Sequence, residues 1–229
     1  MTTTSALPES IAESFGEDLI VKQKPEAFSL PAFAKINLEL RVLGHRPDGM
    51  HEIRTILQTV SLHDLLTFSL RSDNQVIFEC RYKSHYLGES DESGVTDEIN
   101  RKDVPADNTN IVCKAAELLR RYAIERKLSP DPNQLGATIV LEKQIPSSAG
   151  LGGGSSDAAV TLIGLSRLWS LTISKEQLTE IATQLGSDVP FFLSGGKAVG
   201  TGTGAIIEPL EDAEESALVN TVSIDHKCF

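Results

Sequence analysis

The chain has 229 residues, 40% of them hydrophobic, with 21 Lys and Arg against 32 Asp and Glu and a formal net charge of -11 at pH 7. That size suits one large or two small globular domains, and an acidic balance without any run of Lys and Arg argues against nucleic acid or an anionic membrane as a partner. Cys80, Cys113 and Cys228 lack the paired spacing of a zinc site or disulfide framework, and no apolar run approaches the roughly 20 residues that span a bilayer. The expectation is a cytoplasmic protein with no metal site built from its own side chains.

Residues 1–26 are rich in Ser, Thr, Pro and acidic residues with little periodicity and read as a mobile tail. From Phe33 the pattern alternates: Ala34, Ile36, Leu38, Leu40 and Val42 are expected on a buried face, with Lys35, Asn37, Glu39 and Arg41 opposite, which predicts a half-buried strand. A turn at Pro47, Asp48 and Gly49 leads into a stretch of ambiguous period. There Ile53, Ile56, Leu57 and Val60 suit a helix, whereas Ile53, Thr55, Leu57 and Thr59 suit a strand. Leu66, Phe68 and Leu70, then Val76, Phe78 and Cys80, flank a turn at Ser72–Asn74 and predict a hairpin. Residues 81–107 form a polar, acidic excursion read as an exposed insertion. A helix follows over 110–127, with Ile111, Ala115, Leu118, Leu119 and Tyr122 on one face and a cap from the Asp107–Asn110 cluster.

GATIVLEK, residues 136–143, has strand character and leads into PSSAGLGGGSSDAAVTLIGLSRLW, Pro146 to Trp169. Strand, glycine turn and helix in that order make a phosphate cradle. Residues without Cβ let backbone approach an anion, and the helix N-terminus behind them presents unpaired N–H groups and partial positive charge. Ser155 and Ser156 are candidates to cap that helix, to bind a phosphate oxygen or to hold a Mg²⁺-bound water. No Lys follows the glycines and their spacing is not that of a dinucleotide fold, so this is another kind of phosphate loop. Ser174 and Gln177 predict a capping box for a further helix that Gly186 ends, and Ser187 to Pro190 make a tight junction.

Phosphoryl transfer needs the donor phosphates held, the moving charge offset and the acceptor hydroxyl oriented. Asp188 and Lys35 are the candidates for the last two tasks: a carboxylate can orient or deprotonate an alcohol, and an ammonium stabilises both that carboxylate and the developing charge. His51, after a turn, has a ring that can hydrogen-bond a base edge.

Four ordered segments, PAFAKINLEL, PDGMHEIRTILQ, PSSAGLGGGSSDAA and LGSDVPFFLSGG, resemble the GHMP kinases, and the similarity runs from about Leu30 to Pro209. The resemblance implies an α/β (α+β) fold of two domains. Residues 27–172 would form the N-terminal ATP-binding domain, with an unusual left-handed βαβ crossover, and residues 173–229 the start of a C-terminal one. It implies ATP and Mg²⁺ as cofactors and a small-molecule alcohol bearing a cytidyl group as acceptor, with the oligomeric state left open. By position, Lys35 and Asp188 are the catalytic pair. Pro146, Ser147, Ser148, Ala149, Gly150, Leu151, Gly152, Gly153, Gly154, Ser155 and Ser156 are the ATP phosphate loop; Ile111 and Val112 lie at the adenine pocket; Asn37, Met50 and His51 line the acceptor site. Met50 stands where relatives generally carry an aromatic residue, and Val199 where some place a second ring. The family's third glycine motif does not occur before Phe229, so the C-terminal domain is expected to be truncated. The alternatives are a catalytically silent nucleotide-binding fragment and a kinase for another small alcohol.

Overall fold

β-branched residues at Ile53, Thr55, Ile56, Thr59, Val60 and Thr67 decide the ambiguous stretch, because side chains stiff at χ1 favour a pleated surface over a helix. His51–Arg71 is one continuous strand of 21 residues, β2. In the computed structural model, which describes residues 27–82, 105 and 107–210, it is the axis of the sheet. β1 (Ala27–His45) runs antiparallel along one edge of β2, from Ala27 opposite Ser69 to His45 opposite His51. The other edge is shared. β5 (Lys197–Gly202) pairs with Ile53–Gln58, and β4 (Gly136–Lys143) with Leu65–Arg71. β3 (Val76–Tyr82) lies outside β4, and β6 (Ile206–Pro209) outside β5. Four helices are described: α1 (Ile111–Glu125), α2 (Gly153–Leu168), α3 (Lys175–Leu185) and the short α4 (Val189–Phe192). The N-terminal tail of residues 1–26, nearly all of the acidic insertion and residues 211–229 lie outside the described residues.

Two expectations are corrected. β2 and β3 do not form a hairpin: β4 lies between them, antiparallel to β2 and parallel to β3. The turn between β2 and β3 spends its polar groups on the incoming β4 segment, since Asn74 Oδ1 accepts from Leu135 N–H at 3.1 Å and Gln75 O accepts from Ala137 N–H at 2.8 Å. Parallel neighbours need a crossover connection, and α1 sits within it. The second correction concerns β1. Ala32 and Ala34 are buried, but Ile36, Leu38, Leu40 and Val42 are 37% to 63% exposed and Lys35 is only 6% exposed. Pairing with β2 shifts register between Phe33 and Lys35, between Asn37 and Glu39, and between Val42 and Gly44. Each such irregularity changes which face a side chain occupies, so simple alternation fails beyond the first.

The core forms where α2 and α1 cover the sheet. Ala158, Leu162, Leu165 and Leu168 of α2 and Val112, Ala115 and Leu119 of α1 pack with Leu66 and Phe68 of β2 and Ile139 and Leu141 of β4. Ile181, Ala182, Val189, Phe191 and Ala198 join the same cluster, so neither sheet nor core breaks at the boundary expected near residue 172. α2 is buried around most of its circumference and is held chiefly by these contacts, each fully buried Leu contributing about 1.5–3 kcal/mol. It packs tightly against the sheet at Gly164, where a Cβ would stand 2.5 Å from the Phe68 ring.

Gly164→Ala should therefore destabilise the protein by about 1–3 kcal/mol, because overpacking against a buried ring exceeds the gain of up to about 1 kcal/mol in helix propensity. Urea unfolding of the two proteins measures this; a more stable variant would contradict the packing described.

Candidate active site

The glycine loop leaves β4 at Lys143 and enters α2 at Gly153. Its tightest point is Gly152, at φ 69°, where an added Cβ would lie 2.8 Å from Phe192 Cζ and 3.1 Å from Lys35 Cγ. Only glycine meets both demands, left-handed backbone and no side chain. The next residue, Gly153, is equally crowded, with Ile145 Cγ2 at 2.9 Å and Lys143 Nζ at 3.0 Å from the position a Cβ would take. A main-chain bond from Lys35 N–H to Leu151 O, 2.9 Å, ties the loop to β1.

Gly152 is the N-cap of α2, and no side chain caps the helix. The expectation that Ser155 or Ser156 would do so is corrected: both lie inside the first turn, and Ser156 N–H bonds back to Gly152 O at 2.9 Å. The first N–H groups of α2 thus have no side-chain cap acceptor, which suits an anion. Beside them lies an open cleft of about 410 Å³ lined by Pro146 through Ser155 and also by Pro105, Asn110 and Ile111. Asn110 N-caps α1 by accepting from Val112 N–H at 2.9 Å. Of the pair proposed for the adenine pocket, Ile111 lines the cleft while Val112 is turned into the core at 0% exposure.

Lys35 and Asp188 meet beside this loop. Lys35 Nζ is 3.5 Å from Asp188 Oδ2 and donates to Asn37 Oδ1 at 2.7 Å. Asn37 Nδ2 donates in turn to Thr55 Oγ1 at 2.7 Å, and Thr55, 2% exposed, donates to Glu39 O at 2.7 Å. Lys35 is thereby aimed by a relay of fixed hydrogen bonds. Asp188 stands at the N-cap position of α4 without using its side chain as a cap, and that side chain is 38% exposed. Its carboxylate is available for chemistry. Met50 and His51 sit elsewhere, at the turn end of the β1–β2 ribbon, where the His45 and His51 rings lie 4.5 Å apart. His51 is six positions along β2 from Leu57, the partner of Asn37, a separation of about 20 Å measured along the strand. Val199 is in β5, opposite Ile56 and 9% exposed.

Behind the loop lies a buried ion cluster. Lys143 Nζ donates to Asp64 Oδ2 and, at 2.8 Å, to Asp157 Oδ2; the three residues are 6%, 0% and 2% exposed. Asp64 Oδ1 also accepts from Ile145 N–H at 2.8 Å, anchoring the start of the loop. Lys143 is held above its ordinary pKa by the two carboxylates, whose attraction outweighs the burial that would lower it. Burial, with Asp64 nearby, pushes the Asp157 carboxyl up from 3.8 to about 7 despite Lys143.

Asp64, Thr55, Lys143 and Asp157 escaped the motif reading, though the strand residues carried a signal. Lys143 continues the inward phase of Ala137, Ile139 and Leu141, and Asp64 that of Leu66 and Phe68. Opposite charges at inward positions of two strands call for each other, since neither can be buried alone at tolerable cost.

A glycine turn at an uncapped helix N-terminus, facing a cleft and flanked by a Lys–Asp pair, is an arrangement suited to an anionic group. Residues 110–196 match the family described as "GHMP kinases N terminal domain". Two curated relatives named 4-diphosphocytidyl-2-C-methyl-D-erythritol kinase are similar to it. The one from Synechococcus sp. (strain JA-3-3Ab) is 40% identical over 189 residues, covering 82% of this chain and 52% of the relative. The one from Synechocystis sp. is 39% identical over 186 residues, covering 81% and 52%. A solved structure of 4-(cytidine 5'-diphospho)-2C-methyl-D-erythritol kinase superposes with TM-score 0.57 at 34% identity, over 80% of this chain and 55% of the other. A solved mevalonate kinase, TM-score 0.54 at 16% identity, shares the fold, with 85% of this chain and 59% of the other covered. The chain spans about half the length of the curated relatives it matches.

The Asp157 carboxyl gives a stability prediction. Its folded-state pKa lies above the ordinary value, so between about pH 4 and about 7 the folded protein holds a proton that the unfolded chain releases. The contribution is full below the ordinary pKa and is lost as pH rises through about 7. Relative to Asp157→Asn, which does not titrate, the wild type should lose stability from pH 5 to pH 8; a constant difference in urea midpoints would contradict it.

Proposed function

We propose that the chain is an ATP-dependent kinase that transfers the γ-phosphoryl group of ATP to the 2-hydroxyl of 4-diphosphocytidyl-2-C-methyl-D-erythritol, in isoprenoid precursor synthesis. The observation that carries the reading is the Lys35–Asp188 pair, 3.5 Å apart, in which Lys35 comes from a strand bonded directly to the glycine loop through Lys35 N–H and Leu151 O and Asp188 from the N-cap position of α4. The amides of Gly152 to Ser155 hold the polyphosphate, and the purine lies toward Asn110 and Ile111. Asp188 orients the acceptor hydroxyl and takes its proton. Lys35, fixed by Asn37, offsets charge on the carboxylate and on the moving phosphoryl group.

Asn37 spends one lone pair on Lys35 and one N–H on Thr55, which leaves a second lone pair and a second N–H for the acceptor. Met50 and His51 meet the cytidyl end of the acceptor along the β1–β2 ribbon; a thioether in place of an aromatic ring makes that contact softer. Mg²⁺ fits the donors present. Among the described residues no group of three or more His, Cys, Asp or Glu side chains could hold a metal, while the Ser147, Ser148 and Ser155 hydroxyls at the cleft offer hard oxygen ligands. Such a set suits an ion carried in on phosphate oxygens, whose charge it would neutralise.

A second reading, nucleotide binding without turnover, needs only the glycine loop and the uncapped N-terminus of α2 beside the cleft. One experiment separates the two. With the cytidyl acceptor and ATP, the purified chain should release ADP, and Asp188→Asn should lower kcat by at least ~10²-fold while the ATP-induced rise in Tm persists. A wild type that is stabilised by ATP but never turns over selects the second reading; unchanged turnover in Asp188→Asn removes Asp188 from the chemistry.

A further inference from the structure

His45 and His51 are cross-strand partners at the turn end of the β1–β2 ribbon, both exposed, with ring centroids 4.5 Å apart and planes inclined at 49°. β2 is regular from His51 to Thr59, so alternate residues there share one face, and each β1 partner stands beside them on that face. The face therefore carries Lys35, Asn37, Leu40, Val42 and His45 in turn, and the 2.7 Å hydrogen bond from Asn37 to Thr55 agrees with it. The irregularities of β1 bring these residues into one row although their spacing is not that of simple alternation. On the other side of β2, Ile53 and Thr55 are opposite Gly202 and Gly200, which place no side chain over the row.

The spacing of the two rings is that of imidazoles sharing one ion. With a metal–nitrogen bond of about 2.0–2.1 Å, each ring centroid lies about 3.2 Å from the metal, and two such rings at a right angle are about 4.5 Å apart. A right angle is the cis angle of square-planar and octahedral ions, and opening the pair by less than about 1 Å reaches the tetrahedral angle. Each imidazole has two nitrogens, and an exposed ring turns about its terminal torsion at little cost, so the strands need not move. Antiparallel pairing has already ordered both backbones, which lowers the entropy lost on binding. The acidic neighbours are committed elsewhere: Arg46 holds Glu52 Oε2 at 2.6 Å and Asp48 Oδ2 at 3.1 Å, and Asp48 Oδ1 accepts from Met50 N–H at 3.0 Å. The donor set is nitrogen without carboxylate, which suits Ni²⁺, Cu²⁺ or Zn²⁺ rather than Mg²⁺ or Ca²⁺.

We infer that His45 and His51 form a reversible chelate for a late divalent transition-metal ion. Two protein ligands leave the remaining coordination positions to water. The chelate itself stands apart from catalysis, but its consequence rests on the kinase reading above and is inhibitory. A bound cation occupies His51 and fills the end of the face that begins at Lys35 and Asn37, so the metal competes with the acceptor and not with ATP.

The test is calorimetric titration of the full chain with Ni²⁺, without nucleotide, for wild type, His45→Gln and His51→Gln. The remaining His and Cys residues are common to all three proteins and cancel. The wild type should bind one ion at least ~10-fold more tightly than either variant does, and excess Mg²⁺ should not displace it. Equal stoichiometry and affinity in the three proteins would overturn the site. As a second readout, substoichiometric Cu²⁺ should broaden the ring proton signals of His45 and His51 together and ahead of those of His63; broadening of one alone, or of neither, rejects a chelate. With Ni²⁺ at about ten times its Kd, the affinity of the wild type for the cytidyl acceptor should fall about tenfold, as competition requires, and that of His45→Gln should fall less. An acceptor affinity indifferent to Ni²⁺ overturns the inhibition. An acceptor that never binds the wild type overturns the kinase reading, while the Ni²⁺ titration still decides the chelate.

Discussion

The close approach at Gly152 and Gly153 is the constraint on which the site depends. Four groups that arrive from different parts of the chain, Lys35 from β1, Phe192 from α4, and Lys143 and Ile145 from the end of β4, press against two residues with no side chains. A Cβ at either position would displace at least one of them by several tenths of an ångström. Because those neighbours include the side-chain stem of the lysine that pairs with Asp188 and the ammonium that anchors Asp157, the backbone geometry of the loop and the electrostatics of the site are set together.

The long strand β2 makes that convergence possible. Its N-terminal half carries Thr55, which steadies Asn37 and through it Lys35; its C-terminal half carries Asp64, which fixes Lys143 and the start of the loop. Both polar systems are thus anchored on one strand, and each reaches the glycine loop, through Lys35 beside Gly152 and through Lys143 beside Gly153. Burying Lys143 with two carboxylates is an expensive way to hold a helix, since desolvation of such groups rivals their attraction and an apolar trio would stabilise at least as well.

Much of this was legible in the sequence because the glycine loop and its helix are local. Strand, turn and helix between Gly136 and Leu168 follow from composition and period, as do the Asn110 cap and the Ser174–Gln177 capping box. The resemblance carried by four segments located Lys35 and Asp188, which no periodicity would have brought together across more than 150 residues. What failed was non-local. The insertion of β4 between β2 and β3 depends on bonds from the Asn74 turn to Leu135 and Ala137, and the exposure of Ile36 to Val42 depends on register irregularities that alternation cannot express. Asp64 and Lys143 each look like an isolated charge on an apolar strand face until the pairing of β2 with β4 sets them side by side.

The most direct measurement is a crystal structure of the chain with a non-hydrolysable ATP analogue. Its β- and γ-phosphates should accept hydrogen bonds of about 2.7–3.2 Å from amides between Gly152 and Ser155, with the γ-phosphate on the side of the loop that faces Lys35 and Asp188. A nucleotide bound with its phosphates away from the α2 N-terminus, or with its terminal phosphate turned from that pair, would contradict the assignment of phosphoryl transfer to this site.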